Sequence, residues 1–194
     1  MKRQNNTYSV KAPRLKKLVT NHGVISTPFF MPDATRGLVK LLSAAELRAL
    51  GLPALVVNTF HLYLQPGLSI IKAAGGLHSF MDWPLPLLSD SGGYQVFSLI
   101  HRNKKMGRIL EDKVVFKSPL DGSSHELSPE KSLQIQFELG TDMMVCLDDC
   151  PPNDFSRREL EKSVDRTIAW ALRSKKEYDR QIKKRGLSGK KKPL

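Results

Sequence analysis

Two aspartates that follow apolar segments are the residues of this sequence best suited to chemistry. Asp90 comes after the apolar segment 85–88, and Asp148 comes after a second apolar segment at 143–147. Such segments are typical of buried strands, and the carboxyl ends of parallel strands meet at one edge of a sheet. Two carboxylates at that edge can accept hydrogen bonds from the ring N–H and amino groups of a nitrogen heterocycle. A carboxylate whose pKa is raised by burial can also transfer a proton.

A turn of small residues, Ser91-Gly92-Gly93, follows Asp90 directly. Glycine has no Cβ, so the N–H groups of such a turn can approach a ligand closely. An acid that only hydrates the end of a strand gives the same local pattern, so both interpretations stand on the residues alone.

The two cysteines, Cys146 and Cys150, lie on either side of Asp148. They are too few for a disulfide framework, and without an export signal we expect reduced thiols in a cytoplasmic protein. Cys146 falls within a predicted strand and there is no third cysteine, so we assign no metal ligand to this chain. No apolar run approaches the roughly 18 residues of a membrane span, so we predict no membrane association.

The formal net charge of +12 is concentrated at the two ends of the chain. Residues 1–20 contain six Lys or Arg and no acid, and residues 173–194 contain ten Lys or Arg and two acids. The 152 residues between these ends carry a net charge of −2. Basic ends suit contacts with the phosphates of a nucleic acid, and they are equally typical of solvated tails.

The segments around the two aspartates alternate between strand and helix patterns, which indicates an α/β fold. Ser43-x-x-Glu46 is a capping box that opens a helix ending at Leu50. The further elements predicted up to the turn after Asp90 are a strand over 54–60, a turn at 65–67, a helix over 69–74, a strand over 85–89 and a short helix toward Leu99.

The segment 109–127 interrupts this alternation. Asp121-Gly122 is a turn dipeptide between two short strand patterns, so we predict a β-hairpin that decorates the α/β scaffold. A helix then begins at Ser128, with Pro129 at its first position, and ends at Gly140.

The longest predicted helix begins at Ser156, where Ser156-x-x-Glu159 forms a second capping box. Its apolar residues along one face are Leu160, Val164, Ile168 and Ala171. We predict that Trp170 and the methionines at 143–144 are core side chains rather than parts of a cofactor site.

Five short motifs also occur in a fixed order along this chain. They are NTFHL at 58–62, QPG at 65–67, GGLHSFM with Trp83 at 75–83, SDSGGYQVFSL at 89–99 and LDDCPP at 147–152. In these motifs the chain resembles the tRNA-guanine transglycosylase family, also called the queuine tRNA-ribosyltransferase family, of bacterial type. The resemblance runs from about Thr27 to the end of the chain, and the shared order of the motifs makes it specific.

The resemblance implies a (β/α)8 TIM barrel, of which this chain holds the N-terminal half with about four βα units plus the β-hairpin insertion. Residues 1–194 are then the N-terminal part of a single barrel catalytic domain. Residues 1–20 form a basic N-terminal segment of it. Residues 186–194 form a basic linker at a truncated end, where the next strand is expected to begin.

The activity that the resemblance implies is exchange of guanine at the anticodon wobble position of tRNA for a 7-deazaguanine base. That base is queuine or its aminomethyl precursor, and the exchange belongs to queuosine biosynthesis. It is a double displacement: an enzyme carboxylate attacks the ribose C1′, and a second group handles the proton on the purine. The implied partners are tRNA, guanine and the 7-deazaguanine base, with a homodimer when the protein is full length. The implied cofactor is zinc, with its ligands beyond residue 194.

Asp90 matches the family acid that donates a proton to the departing guanine and accepts one from the incoming base. Asp148 matches the acid that holds the N–H edge of guanine. The substrate-binding residues that the resemblance implies are Asp90, Ser91, Gly92, Gly93, Tyr94, Asp148, Cys150 and Asn58.

Three of these residues have more specific expectations. The ring of Tyr94 is available to stack on the purine. Cys150 lies where bacterial-type members carry a cysteine beneath the base. Asn58 matches the NTFHL motif, where a substrate contact and a hydrogen bond to the backbone at a strand end are both open.

Two departures from the family pattern are visible. Asp33 stands where bacterial members usually carry valine, and its charge either alters base selectivity or faces solvent. The family's nucleophilic aspartate, its Val-Gln-Gly-Gly motif and its zinc cluster all lie beyond residue 194, so we expect this chain to be inactive alone. The alternative is a non-catalytic tRNA-binding or partner subunit. The presence of both Asp90 and Asp148 argues against that alternative.

Overall fold

The structure is a computed structural model that describes residues 15–194 and has a mixed α/β architecture. Its strands are β1 (Lys17–Thr20), β2 (Gly23–Ser26), β3 (Leu55–Val57), β4 (Leu87–Ser89), β5 (Gly107–Ile109), β6 (Val114–Lys117), β7 (Ser124–Leu127) and β8 (Met143–Met144). Its helices are α1 (Ala44–Ala49), α2 (Thr59–Leu64), α3 (Leu68–Ala73), α4 (Leu77–Phe80), α5 (Gly93–Arg102), α6 (Pro129–Leu139) and α7 (Arg157–Arg185). Residues 1–14 of the predicted basic segment 1–20 lie outside the described residues.

A parallel sheet in the order β3-β4-β8 lies at the centre. Val56 is opposite Leu88, and Leu88 is opposite Met143. Asp33 extends this sheet beyond β3 through a parallel bridge to Val56. On the other side Leu194 donates its N–H to the Asp142 carbonyl at 2.8 Å and accepts the N–H of Met144 at 2.9 Å. This alternation of bonds is that of parallel strands.

The two faces of the parallel sheet differ because side chains alternate along each strand. Leu55, Val57, Leu87 and Ser89 point into the core and are buried. The opposite face carries Val56 and Leu88, together with Asp33 from the bridged segment and Asp90 beyond the end of β4. The register therefore places Asp33 and Asp90 on the same face of the sheet.

The strand predicted over 54–60 is shorter in the structure. It ends at Val57 because the side chain of Asn58 accepts the N–H of His61 and thereby caps α2. The predicted capping boxes are confirmed at Ser43 and Ser156.

The segment predicted as a hairpin is a three-stranded antiparallel sheet, β5-β6-β7. The turn at Asp121-Gly122 is confirmed between β6 and β7. A second turn within 110–113, which the sequence pattern did not separate from its flanking residues, joins β5 to β6. This sheet packs its apolar residues Val114, Phe116 and Leu127 into the main core.

Helix α7 spans 29 residues and packs along α6. The prediction that Trp170 lies in the core is confirmed, since this side chain is fully buried. The apolar residues Leu160, Val164 and Ile168 do not face the core, because each is at least 38% exposed. The buried face consists instead of Trp170 with four polar residues, Ser163, Ser174, Glu177 and Gln181.

Three of the four polar residues of this buried face, Ser163, Glu177 and Gln181, have hydrogen-bond partners, whereas the Ser174 hydroxyl has none among the described residues. Glu177 accepts hydrogen bonds from Gln134 of α6 at 3.0 Å and from Gln181 at 2.8 Å, and Arg180 pairs with it at 2.7 Å. These hydrogen bonds offset the cost of burying the polar side chains of this face. No helix within residues 15–194 is both long and apolar enough to cross a lipid bilayer.

Candidate active site

Asp90 lies immediately after β4, at the carboxyl end of the central parallel strand. Its Oδ1 atom accepts the N–H of Thr59 at 2.9 Å and the N–H of Gly92 at 3.1 Å. Its Oδ2 atom accepts the Nδ2 amino group of Asn58 at 2.5 Å. The backbone is held as well, because the Thr59 hydroxyl donates to the Asp90 carbonyl. The carboxylate is thus fixed in orientation, and Oδ2 retains a free acceptor direction for a ligand.

Asn58 is oriented by the helix that it caps. Its Oδ1 atom accepts the N–H of His61 at 3.0 Å, so the amino group must point away from the helix and toward Asp90. The side chain is buried. The structure therefore places Asn58 against Asp90 as a positioning residue for that carboxylate.

Burial is the largest influence on Asp90 and raises the pKa of its carboxyl above the ordinary value. The hydrogen bonds from Thr59, Gly92 and Asn58 act in the opposite direction, and the nearby negative charge of Asp33 raises the pKa further. The net direction is upward, as proton transfer by a carboxyl group near neutral pH requires.

The glycine turn after Asp90 is packed against protein on both sides. Gly92 has a φ of +74°, and a Cβ there would lie 2.9 Å from the backbone nitrogen of Phe60. A Cβ on Gly93 would lie 2.8 Å from Cδ1 of Leu147 and 3.2 Å from the carbonyl of Asp148. The two glycines thus allow the segments that carry Asn58 and Asp148 to approach Asp90.

The N–H groups of this turn are used within the protein, which differs from the prediction that they face a ligand. Gly92 donates to Asp90, and Gly93 donates to the hydroxyl of Ser91 at 3.2 Å. Ser91 is buried, and its carbonyl accepts the hydroxyl of Ser132 in α6 at 2.8 Å. The turn therefore builds the site rather than lining open space with its amides.

The two neighbouring acids after β8 have different surroundings. Asp148 is exposed, and its carboxylate makes no hydrogen bond within residues 15–194, so it is available to a ligand. Asp149 is buried and pairs with Arg166 of α7, which also binds Glu111 at 2.7 Å. Arg166 therefore anchors α7 to the segment after β8 through Asp149 and to the loop before β6 through Glu111.

Tyr94 and Cys150 line one cavity of about 430 Å³ beside this edge of the sheet. Tyr94 is 61% exposed, so its ring face is accessible. Burial raises the pKa of the Cys150 thiol, and the charges of Asp148 and Asp149 raise it further. Cys150 is therefore a neutral thiol that can contact a ligand, and it is poorly suited to act as a thiolate.

Sequence reasoning missed Gln136, a fully buried residue of α6. Its Nε2 atom donates to the Val145 carbonyl at 2.9 Å, and its Oε1 atom accepts the Val145 N–H at 3.1 Å and the Ser89 hydroxyl at 2.9 Å. It thus fixes β4 beside the strand that leads to Asp148. A polar residue among apolar helix positions is the signal that could have identified it.

The sequence profile of the family described as queuine tRNA-ribosyltransferase matches residues 9–190 of this chain. The chain belongs to the queuine tRNA-ribosyltransferase family. This confirms the resemblance carried by the five motifs.

Individual members of the queuine tRNA-ribosyltransferase family are also similar to this chain. The protein of that name from Halothermothrix orenii is 48% identical over 168 residues, and the one from Prochlorococcus marinus is 49% identical over 173 residues. The one from Enterococcus faecalis is 46% identical over 171 residues. These alignments cover 87%, 89% and 87% of this chain and 44% of each relative. The chain thus spans about half the length of the curated relatives it matches.

Proposed function

We propose that this chain is the N-terminal part of the catalytic domain of a tRNA-guanine transglycosylase. The proposed reaction replaces guanine at the anticodon wobble position of tRNA with a 7-deazaguanine base. The observation that carries the proposal is the Asp90 carboxyl group, which is held by three donors and has a raised pKa at the carboxyl edge of the sheet. An acid so placed can give a proton to a leaving purine and take one back from its replacement.

In the proposed reaction, a carboxylate outside this chain forms a bond to the ribose C1′. The bond from C1′ to guanine breaks, and its electron pair leaves with the base. Neutral Asp90 donates its proton to that base and becomes a carboxylate, which then accepts a proton from the incoming base. Asp148 accepts hydrogen bonds from the N–H edge of the purine, and Tyr94 and Cys150 contact its ring.

The proposal extends to the architecture of the whole protein. We expect a (β/α)8 barrel to which this chain contributes its first strands. The parallel bridge at Asp33 and the bonds of Leu194 to β8 support this, because both edges of the parallel sheet accept a further parallel segment. Zinc ligands outside this chain, a homodimer and a cytoplasmic location belong to the same proposal. Cys146 and Cys150 do not fit the zinc cluster, since neither belongs to a group of three close ligand side chains within residues 15–194.

A non-catalytic tRNA-binding or partner subunit is the competing function. Such a subunit needs tRNA contacts, and it does not need an acid that is oriented on both oxygens. The arrangement of Asn58, Thr59 and Gly92 around Asp90 therefore favours the catalytic function.

The test is incorporation of radiolabelled guanine into unmodified tRNA by the protein expressed from its native gene. We expect exchange that falls at least about 100-fold in Asp90→Asn while tRNA affinity is retained. The control is Asp165→Asn, which changes an exposed acid of α7 and leaves exchange unaltered.

The other outcomes separate the two functions. Exchange that survives Asp90→Asn removes Asp90 from the mechanism. Binding of tRNA without exchange by the native protein supports the non-catalytic subunit. Exchange by the 194-residue chain alone contradicts our assignment of the nucleophile to a segment outside it.

A further inference from the structure

A second polar cluster lies at the opposite end of the parallel sheet from Asp90. It brings together His22 from the turn between β1 and β2, His78 from α4, and Asp142 from the residue before β8. One ligand atom from each of these side chains lies within 4.8 Å of the other two. Among the described residues this is the one group of three such side chains close enough to share a metal ion.

Asp142 supplies a buried carboxylate at the centre of this cluster. Its Oδ1 atom accepts the backbone N–H of His22 at 3.1 Å, and its Oδ2 atom accepts the N–H of Leu87 at 3.0 Å. The cluster therefore contains a buried carboxylate group whose two oxygens each accept a backbone N–H.

The surroundings of His78 determine which nitrogen of its ring carries the hydrogen. Its Nδ1 atom lies 2.9 Å from the Trp83 carbonyl, which can only accept, so Nδ1 carries a hydrogen and donates it. In neutral His78 the Nε2 atom therefore presents a lone pair. That atom is buried, makes no hydrogen bond and lies 3.4 Å from Oδ2 of Asp142.

A lone pair that faces a carboxylate oxygen is unfavourable unless a positive charge lies between them. A metal ion supplies that charge, and a histidine that binds a metal through one nitrogen typically donates its other N–H to a backbone carbonyl. His78 already makes that bond to Trp83. Its geometry is thus that of a metal ligand with its outer hydrogen bond in place.

His22 completes the cluster from the exposed side. Its Nδ1 atom lies 2.9 Å from Oδ1 of Asp142, and its ring stacks on His78 with the centroids 3.6 Å apart. It also borders a cavity of about 240 Å³, which leaves room for further ligands on the ion. Arg185 and Lys191 line the same cavity, so an anion suits the open position better than a second cation.

We propose that His22, His78 and Asp142 form a binding site for one divalent transition metal ion, with zinc as the first candidate. Two imidazole nitrogens and one carboxylate oxygen are ligands that zinc accepts, and water or an anion fills the remaining position. The ion fastens the β1–β2 turn and α4 to the start of β8. This site uses no cysteine and is separate from the zinc ligands expected outside this chain.

The direct test is metal titration of the 194-residue chain after treatment with a chelator. We expect one equivalent of Zn²⁺ by calorimetry, and one equivalent of Co²⁺ by its ligand-field absorption. His22→Ala is expected to weaken Zn²⁺ binding by more than the roughly 10–100-fold that loss of an outer hydrogen-bond partner costs. Zn²⁺ is also expected to raise the unfolding temperature of the unsubstituted chain and not that of His22→Ala.

The matched control is His125→Ala. His125 is a half-buried histidine whose hydrogen-bond partners are Tyr63 and Ser123, and neither partner belongs to the cluster. Its replacement should leave Zn²⁺ affinity unchanged. His78→Ala removes the bond to Trp83 as well as a ligand, so circular dichroism must show that this variant folds. If this variant does not fold, the Zn²⁺ affinities of His22→Ala and His22→Gln test the proposal instead.

Two results overturn the proposal. One is the absence of Zn²⁺ and Co²⁺ binding to the folded chain; a ¹⁵N spectrum in which both ring nitrogens of His78 carry hydrogens would then show that a proton supplies the positive charge instead. The other is Zn²⁺ binding of equal strength in the unsubstituted chain and in His22→Ala. Neither result bears on base exchange, so the proposed function is tested independently.

Discussion

At the scale of single residues, the surroundings of Asp90 determine what this chain can do. Its carboxyl group is half-buried at a strand end, and three donors from two different segments fix its orientation. Asn58 connects this carboxyl to a helix cap, because its one amide group satisfies both. The stability of α2 and the placement of the acid therefore depend on the same side chain.

Asn58→Ala is expected to lower the free energy of unfolding by about 1–3 kcal/mol, because it removes a helix cap and a hydrogen bond to a partly buried carboxylate. The measurement is urea denaturation of the 194-residue chain. The control is Asn103→Ala, because Asn103 is exposed and its side chain accepts only the N–H of Lys105. An equal loss in the two variants would show that the contact with Asp90 contributes nothing.

Asp33→Val is expected to lower the pKa of Asp90, because it removes a like charge that raises it. The measurement is ¹³C NMR titration of the Asp90 carboxyl, with Asp165→Val as the control. The pKa of Asp90 in the folded chain lies above the value of about 3.9 in the unfolded chain. The stabilisation from protonated Asp90 is therefore complete at pH values below about 3.9, and it is lost as the pH rises through the pKa of the folded chain. In Asp33→Val that loss should occur at lower pH. An unchanged titration would show that the charge of Asp33 does not influence the pKa of Asp90.

At the scale of elements, the turn after β4 and helix α7 show how neighbours decide local structure. Gly92 and Gly93 are required by the close approach of Phe60 and Leu147. Helix α7 buries a polar face that holds Trp170, and leaves Leu160, Val164 and Ile168 exposed. Packing against other segments thus requires glycine in the turn and determines which face of α7 is buried.

Gly92→Ala is expected to destabilise the fold by more than Gly122→Ala, which is a matched control. Both glycines have φ near +75°, so each substitution incurs the left-handed backbone cost of about 1–2 kcal/mol. Only the Cβ at Gly92 meets another segment, at 2.9 Å from the nitrogen of Phe60, whereas nothing lies within 4 Å at Gly122. Urea denaturation that gives equal losses would contradict this account of the turn.

At the scale of the whole molecule, the main feature for tRNA binding is the concentration of positive charge at the two ends of the chain. Some of the cations at the C-terminal end form ion pairs with acids, and others do not. Arg173, Arg180 and Arg185 pair with glutamates at 2.5–2.7 Å. The run 190–192 is exposed, and its three lysines make no ion pair within residues 15–194. Lys176, Lys183 and Lys184 of α7 are also exposed and make no ion pair among the described residues, so these lysines and the run 190–192 are free to contact phosphate.

Replacing the three lysines at 190–192 by alanine is expected to weaken tRNA binding and to flatten its salt dependence. Each lost contact with single-stranded phosphate should lower the slope of log K against log salt by about 0.7. The measurement is tRNA affinity across a salt series, made on the protein expressed from its native gene. Lys113→Ala serves as the control, because Lys113 is paired with Glu126 at 2.8 Å. An unchanged slope would identify the run as a solvated tail.

The sequence by itself determined the features that depend on neighbours along the chain. The helix starts at Ser43, Ser128 and Ser156 were predictable, because a capping side chain bonds to an amide three residues away. The acids at the ends of apolar segments and the family motifs were readable for the same reason. The order of neighbouring residues along the chain is enough to identify these features.

Only the tertiary structure decided which distant residues meet. The bond from Asn58 to Asp90, the exposure of Asp148 beside the buried Asp149, and the buried face of α7 all depend on which segments pack together. The cluster of His22, His78 and Asp142 is the extreme case, because no spacing along the chain links its members. Packing brings such groups together through contacts between elements far apart in sequence, and local patterns contain no record of those contacts.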